Sequence, residues 1–103
     1  MYRIEYLETA LQDLREIVLY IRDELNDPEA AKRLAEKILA KGETLSVFPY
    51  GRPVYFPMRK LSHEYRTIYT DHYTLFYWIE EEKKTVYIAR VIYSGRNMAG
   101  ILK

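Results

Sequence analysis

The chain has 103 residues, enough for one hydrophobic core, so residues 1–103 are predicted to form a single domain. Apolar residues make up 49% and charged residues 30%, as in soluble globular proteins, and the lack of cysteine excludes disulfides and thiolate chemistry. The net charge of +1 argues against a general nucleic-acid binder. No apolar run approaches the roughly 20 residues of a membrane span and no signal peptide is recognisable, so a cytoplasmic protein is expected.

Charge is distributed unevenly along the chain. Residues 1–49 carry 7 basic and 10 acidic groups, a net charge of −3, whereas residues 50–103 carry 9 basic and 5 acidic groups, a net charge of +4. An anionic partner is therefore expected to contact the second half.

A strand and a first helix are predicted at the start of the chain. Residues 2–7 alternate apolar and charged side chains, which is typical of a strand with one buried face. Thr9, followed by Gln12 three residues later, fits a capping box that begins a helix. Apolar residues then recur at spacings of three and four, as expected for one buried helical stripe. These residues are Leu7, Leu11, Leu14, Val18, Ile21 and Leu25.

A second helix follows almost at once. Asp27 is a favoured N-cap and Pro28 fits the first helical position, so the two helices should form an antiparallel hairpin. Gly42 lies inside the second apolar pattern. There it either weakens the helix by about 1 kcal/mol relative to alanine or permits a close approach.

The rest of the chain is predicted to form a loop and three strands. Residues 49–57 hold three of the four prolines and read as a loop. The strand candidates are residues 59–70, 73–80 and 85–93. Asp71-His72 and residues 81–84 form the turns, and the very apolar last strand is expected to be central. The order β-α-α-β-β-β predicts an α+β fold, a helical hairpin packed on a small, mainly antiparallel sheet.

Candidate functional side chains are mostly basic. His63 and His72 have no ligand pattern around them, and the sequence holds no phosphate loop or nucleophile motif, so no metal and no cofactor are expected. Five basic residues of the second half are candidates for binding a target or another anion. They are Arg59, Lys60, Arg66, Arg90 and Arg96.

Arg90 interrupts the most apolar strand, where an unpaired charge would be very costly. Two interpretations remain open. Arg90 pairs with a carboxylate inside the fold, with Glu64 and Glu5 as candidates, or it opens into an anion-binding concavity with Tyr93 and Arg96.

Residues 2–97 resemble the RelE/ParE family, the toxins of type II toxin–antitoxin pairs. The resemblance rests on the order and spacing of five segments. They are Ala10-x-x-Asp13-Leu14-x-x-Ile17-x-x-Tyr20-Ile21, Pro28-x-Ala30-Ala31, Leu45-x-x-Phe48-Pro49-x-Gly51, Tyr73-x-Leu75-x-Tyr77 and Arg90-Val91-Ile92-Tyr93-x-x-Arg96-Asn97. The resemblance implies a bacterial, growth-inhibiting protein of the plasmid-stabilization type that a cognate antitoxin neutralises.

The resemblance leaves two kinds of target. RelE-like toxins cleave mRNA in the ribosomal A site without a metal, whereas ParE-like toxins bind and inhibit DNA gyrase. The RelE nuclease positions transfer poorly, since they fall on Ile68, Thr74 and Leu102 as well as on Arg66 and Arg96. If the protein is a nuclease, the candidate catalytic residues are Arg66, Arg90, Tyr93 and Arg96, with Tyr93 or Glu64 as the base. The helical signatures and the Phe48-Pro49-x-Gly51 turn favour the ParE-like alternative. A third hypothesis is a protein that only forms complexes.

The antitoxin is expected to lay an amphipathic helix along the helical hairpin, with or without an added strand, and its acidic groups should meet the basic half of the chain. The predicted contact residues are Leu14, Ile17, Val18, Ile21, Leu34 and Ile38. A homodimer and a toxin–antitoxin hetero-oligomer both remain open.

Overall fold

A computed structural model of the protein describes residues 1–56, 60–95 and 102. The elements follow the predicted order β-α-α-β-β-β. They are β1 (Arg3–Tyr6), α1 (Glu8–Leu19), α2 (Pro28–Glu43), β2 (Arg66–Thr70), β3 (Tyr73–Glu80) and β4 (Thr85–Tyr93). A π-helical turn, Tyr20–Glu24, continues α1, and two 3-10 turns, Thr44–Ser46 and Pro49–Gly51, follow α2. No helix in this part of the chain is long and apolar enough to cross a bilayer.

The four strands form one mixed sheet in the order β1-β4-β3-β2. Strand β4 pairs in parallel with β1 and antiparallel with β3, and β3 pairs antiparallel with β2. The predicted α+β fold and the central position of β4 are therefore confirmed. A register shift between Phe76 and Tyr77 places a bulge in the β3–β4 ladder, which locally increases the twist.

The sheet has apolar clusters on both faces. The helix-covered face holds the larger cluster, which includes Ala10, Ile38, Leu75, Tyr77, Ile88 and Val91. The opposite face carries a second cluster made of Tyr65, Phe76, Ala89, Ile92 and Leu102. Alternate residues of β3 thus face opposite layers, as the pleat of a strand requires. Both layers depend on β3 and β4, and all residues of these strands except Tyr93 are buried or partly buried.

The two helix starts differ from each other. Asp27 caps α2 as predicted, since its Oδ1 accepts a hydrogen bond from the Ala30 N–H at 3.0 Å and Pro28 is the first helical residue. The capping box predicted at Thr9 is wrong. Helix α1 begins at Glu8 after Leu7, without a side-chain cap. The Thr9 hydroxyl donates instead to the Ala89 carbonyl oxygen at 2.6 Å.

The strand predicted at residues 59–70 is shorter in the structure. Strand β2 starts at Arg66, and residues 60–65 form no strand with β3. The His63 ring lies parallel to the Trp78 ring, with centroids 3.7 Å apart, so here the chain lies over β3 instead of pairing beside it. Val54 makes an isolated bridge with Arg66 and covers the start of this edge strand.

Of the two roles that the sequence left open for Gly42, the structure shows the close approach, here of helix α2 to strands β1 and β4. A Cβ at this position would collide with the Tyr6 hydroxyl and would lie 3.0 Å from Cδ1 of Ile88. The Tyr6 hydroxyl is buried and has no hydrogen-bond partner among the described residues. Burial raises the pKa of Tyr6 to about 12. Helix α2 therefore packs on β1 and β4 at van der Waals distance.

Candidate functional site

Arg90 is held inside the fold by Asp13 of α1. Its Nε donates to Asp13 Oδ2 at 2.7 Å and its second terminal nitrogen donates to Oδ1 at 2.8 Å. The exposed fractions of the two side chains are 23% and 10%. The hydrogen bond that Arg90 donates to Asp13 is the main cause that raises the pKa of Arg90. Two guanidinium nitrogens thus serve a structural ion pair.

Asp13 also satisfies the backbone of β4. Its Oδ2 accepts a hydrogen bond from the Val91 N–H at 2.9 Å. Strand β1 ends at Tyr6, opposite Ile88, so the next part of the β4 edge has no strand beside it. There Thr9 of α1 supplies the missing donor and Asp13 the missing acceptor, which leaves this part of the edge closed to strand addition.

An internal partner for Arg90 was one of the two predicted alternatives, but the predicted identity of that partner is wrong. Glu64 lies 3.5 Å from Arg66, and Glu5 lies 3.1 Å from Arg3. Asp13 could have been found in the sequence. It is an acidic residue in the stripe formed by Ala10, Leu14 and Ile17, where a charge needs a partner.

Arg66 has a structural role at the opposite edge of the sheet. One terminal nitrogen donates to the Arg52 carbonyl oxygen at 2.7 Å, and the guanidinium lies 5.4 Å from the centre of the Tyr50 ring. Its side chain is only 16% exposed. Arg66 therefore fixes the turn at residues 49–52 and presents little surface to an anion.

The structure does not bring Arg66 and Arg90 together. Arg66 lies opposite Tyr77 and Arg90 lies opposite Phe76. Directly opposed residues project from the same face, and Tyr77 and Phe76 belong to the two different apolar layers. The two arginines therefore start from opposite faces of the sheet.

The other predicted site residues are distributed as follows. Lys60 is exposed on the loop before β2. Tyr93 ends β4 and is 54% exposed. Arg59 and Arg96 lie outside the described residues.

A polar cluster that sequence reasoning missed lies at the β3–β4 turn. Glu81 accepts hydrogen bonds from the hydroxyls of Tyr2 and Tyr50, at 2.6 and 2.7 Å, and pairs with Lys84. The hydrogen bond from Lys84, followed by those from the tyrosines, lowers the pKa of Glu81 to about 2. This cluster fastens the turn to the N-terminus and to the turn at residues 49–51. No local signal in the sequence could have joined residues so far apart.

The face of the sheet away from the helices carries a stack of aromatic rings. His63 stacks on Trp78, and Trp78 stacks on Tyr87 with centroids 5.2 Å apart. Cavities of about 410 and 350 Å³ flank His63, the first reaching Arg90 and the second reaching Arg66. Arg90 and Arg66 line different cavities, but Ser62, His63 and Trp78 line both, so the two cavities adjoin each other.

A third cavity, of about 510 Å³, lies between α1 and the neighbouring ends of β3 and β4. Its lining includes Glu16, Tyr20, Tyr73 and Tyr93. Burial, together with the nearby Tyr93 and Tyr20, raises the pKa of Tyr73, so its phenol stays neutral. We refer to this cavity as the tyrosine cleft.

The predicted antitoxin contacts on the hairpin are less accessible than the sequence suggested. Ile38 is fully buried and belongs to the core. Leu14, Ile17 and Leu34 pack against that core and keep only part of their surface exposed. Other apolar residues of the helical region are clearly exposed. They are Leu11, Leu19, Tyr20, Leu25 and Leu39.

Metal-ligating side chains do not cluster in the residues that the structure describes. No group of three or more His, Asp or Glu side chains there could hold a metal ion.

This fold, a helical hairpin packed on a four-stranded mixed sheet in the order β-α-α-β-β-β, is an α+β fold of the RelE/ParE class. Residues 4–98 match the family described as the ParE toxin of the type II toxin–antitoxin system parDE. The chain belongs to this family of toxins.

Solved structures agree with this assignment. A chain from a chromosomal ParDE TA system of P. aeruginosa is 21% identical, with a TM-score of 0.70 over 88% of this chain and 94% of that one. A chain of the toxin–antitoxin complex RelBE2 from Mycobacterium tuberculosis is 24% identical, with a TM-score of 0.63 over 89% and 96%. A chain of the archaeal RelE–RelB complex from Pyrococcus horikoshii is 15% identical, with a TM-score of 0.59 over 93% and 98%. At these identities the likeness is one of fold. A comparison with proteins of curated function gives no match.

Proposed function

We propose that this toxin inhibits DNA gyrase by binding it and does not cleave RNA. The observation that carries the proposal is the ion pair between Arg90 and Asp13, which occupies two nitrogens of a candidate catalytic cation. A metal-free nuclease needs a base and several cations around one phosphate. Arg66 and Arg90 start from opposite faces of the sheet, which does not favour such a site.

The target surface is proposed to be the basic rim of the second half of the chain. Lys60 is exposed on the loop that precedes β2, and Arg59 is its neighbour in the sequence. Arg96 is a further candidate from the sequence. Arg66 and Arg90, the other candidates, are engaged by other protein groups, which leaves less of their charge for a target.

A gyrase supercoiling assay with the purified full-length toxin tests this proposal. We expect inhibition by the toxin, a roughly two- to fivefold weaker inhibition by Lys60→Ala, as for loss of one rim charge, and no change for Lys32→Ala, an exposed lysine on α2. Cleavage of ribosome-bound mRNA, without any inhibition of supercoiling, would reject gyrase as the target.

The alternative is a RelE-like, ribosome-dependent mRNA endoribonuclease. One observation favours it, namely the exposed Tyr93 at the end of the last strand, where a phenol could approach a phosphate. It predicts that Tyr93→Phe or Arg96→Ala abolishes mRNA cleavage in a folded protein. Cleavage that persists unchanged in both variants would remove the proposed catalytic residues.

The proposed protein partner is a cognate antitoxin encoded beside the toxin. An amphipathic helix of the antitoxin would cover the exposed apolar residues of the helical region and the partly buried Leu14, Ile17 and Leu34. Ile38 would support this surface from the core. Acidic groups of the antitoxin would contact residues 50–103, the half of the chain with net charge +4. Failure of the neighbouring gene product to co-purify at low salt would contradict this assignment.

Expression of the toxin alone separates an active toxin from a protein that only forms complexes. We expect growth arrest that co-expression of the antitoxin relieves. Normal growth at high toxin levels would favour the complex-forming alternative.

A further inference from the structure

The tyrosine cleft presents aromatic rings on an open wall. Tyr73 and Tyr93 pack edge to face, with ring centroids 5.9 Å apart and planes at 72°. Tyr20 completes the aromatic lining at the point where α1 passes into the π-helical turn, and it is 57% exposed. The face of a tyrosine ring is electron-rich and attracts cations.

The charge of the tyrosine cleft also favours a cation. Two carboxylates, Asp13 and Glu16, belong to its described lining, which includes no basic side chain. Arg90 neutralises Asp13. Glu16 accepts a hydrogen bond from the Gln12 amide at 3.1 Å but makes no ion pair within residues 1–56, 60–95 and 102. About one negative charge is therefore left unbalanced, which disfavours a nucleic-acid phosphate.

We propose that the tyrosine cleft binds an arginine side chain of the antitoxin, held between the tyrosine rings and the Glu16 carboxylate. This inference rests on the proposed toxin–antitoxin function and names the chemistry by which the partner is recognised. A guanidinium suits the cleft better than an ammonium, because it is planar, stacks on aromatic faces and donates two parallel hydrogen bonds to a carboxylate. The exposed Leu19 beside Tyr20 connects the cleft with the apolar surface proposed for the antitoxin helix.

A small probe tests the cleft without the antitoxin. Nα-acetyl-L-arginine N-methylamide is titrated into the full-length toxin and followed by NMR, with the corresponding citrulline compound as a neutral control of nearly equal shape. We expect saturable chemical-shift changes at Glu16, Tyr20 and Tyr93 with the arginine probe. The citrulline compound lacks the charge, so its affinity should be lower by about tenfold or more. Equal binding of the two probes, or shifts located elsewhere, would overturn the inference.

Variants then connect the cleft with the antitoxin. We expect Glu16→Gln and Tyr20→Leu each to weaken antitoxin binding about two- to fivefold, the loss of one exposed ion pair or cation–π contact. Tyr20→Phe keeps the ring and should restore the affinity. The matched controls are Glu36→Gln, an exposed carboxylate on α2, and Tyr69→Leu, a tyrosine that is 59% exposed on β2. Both controls should bind the antitoxin like the wild type.

The outcomes separate this inference from the proposed function. If the antitoxin binds the wild type, Glu16→Gln and Tyr20→Leu equally, the arginine site is overturned and the toxin–antitoxin function stands. If the arginine probe binds the cleft but the antitoxin does not bind the wild type, the proposed partner is rejected. Binding of a short single-stranded RNA that Glu16→Gln strengthens would assign the cleft to nucleic acid and also overturn the inference.

Discussion

The backbone of strand β4 finds its hydrogen-bond partners on the β1 side in two different ways, one for each half of the strand. From Thr85 to Ile88, the partner is the backbone of β1 in a parallel ladder. From Ala89 to Val91, the partners are two side chains of α1, namely the Thr9 hydroxyl and the Asp13 carboxylate. A backbone ladder forms with almost any side chain, whereas the second arrangement requires two particular residues.

The comparison bears on function because the second half also carries the candidate site. Arg90, Tyr93 and one wall of the tyrosine cleft all belong to it. Asp13, one of the two side chains that close the β4 edge, therefore also holds the Arg90 guanidinium in place. Substitutions along α1 should cost more stability than substitutions along β1, except where β1 touches Gly42.

The largest loss of stability is expected for Asp13→Ala. It removes the partner of Arg90 and leaves the Val91 N–H without its acceptor. Breaking a pair that is mostly buried should lower the free energy of unfolding by about 3 kcal/mol. Urea denaturation followed by circular dichroism measures the change.

Two controls make the Asp13 prediction specific. Glu16→Ala removes a neighbouring exposed carboxylate and should change stability by less than about 0.5 kcal/mol. The double variant D13L/R90M replaces both charges by apolar groups and should recover most of the loss, with about 1 kcal/mol remaining for the Val91 N–H. An Asp13→Ala variant as stable as Glu16→Ala would mean that the ion pair contributes nothing.

The next largest effect is expected for Gly42→Ala, at the contact between α2 and the β1 half. In an ordinary helix this change stabilises by up to about 1 kcal/mol. Here the new Cβ would collide with the Tyr6 hydroxyl and crowd Ile88, so we expect a destabilisation of about 2 kcal/mol. In a Tyr6→Phe background the nearest ring carbon lies 3.3 Å from that Cβ, and most of the loss should disappear. Equal losses in the two backgrounds would locate the strain elsewhere.

Much of the fold could be predicted because its signals are local. Residues 73–80 and 85–93 are strands with the bounds expected from their apolar and β-branched content. Asp71 and Lys84 adopt positive φ angles of 50° and 49° in the turns that were predicted around them. Asp27 needs only the three residues that follow it to act as a cap.

The candidate site could be predicted only in part because its contacts are not local. Asp13 and Arg90 are separated by 77 positions, so the sequence shows that each needs a partner without showing which. Thr9 satisfies the pattern of an N-cap, yet the unpaired Ala89 carbonyl competes for its hydroxyl and prevails. The separation of Arg66 and Arg90 depends on sheet register, which composition does not fix.

A smaller effect is expected for Thr9→Val, which keeps the shape of the side chain and removes its hydroxyl. The Ala89 carbonyl oxygen would lose its donor, at a cost of about 1 kcal/mol. If Thr9 were an N-cap, the loss would instead appear as fraying of the first turn of α1. Hydrogen exchange distinguishes the two, since we expect faster exchange in β4 near Val91 and unchanged exchange at the start of α1.

The smallest effect at neutral pH is expected for Tyr6→Phe, which removes a buried hydroxyl without a described partner and should be neutral or stabilising by about 0.5 kcal/mol. The difference between wild type and variant should grow at high pH. An unfolded tyrosine ionises near pH 10, whereas burial raises the pKa of Tyr6 to about 12, so its contribution is complete below pH 10 and falls as the pH rises from 10 to 12.

Tyr77 provides the matched control for Tyr6. Burial also raises its pKa to about 12, but its hydroxyl donates to the Pro49 carbonyl oxygen at 2.6 Å. Tyr77→Phe should therefore cost about 1 kcal/mol at neutral pH, because it leaves a buried acceptor unpaired. Unfolding curves at pH 7 should show Tyr77→Phe as less stable than the wild type and Tyr6→Phe as at least as stable. Between pH 7 and pH 11, the free energy of unfolding should fall less in either variant than in the wild type. A Tyr6→Phe variant that is less stable than Tyr77→Phe at pH 7 would show that the Tyr6 hydroxyl has a partner, and that the β1 half also depends on a particular side-chain hydrogen bond.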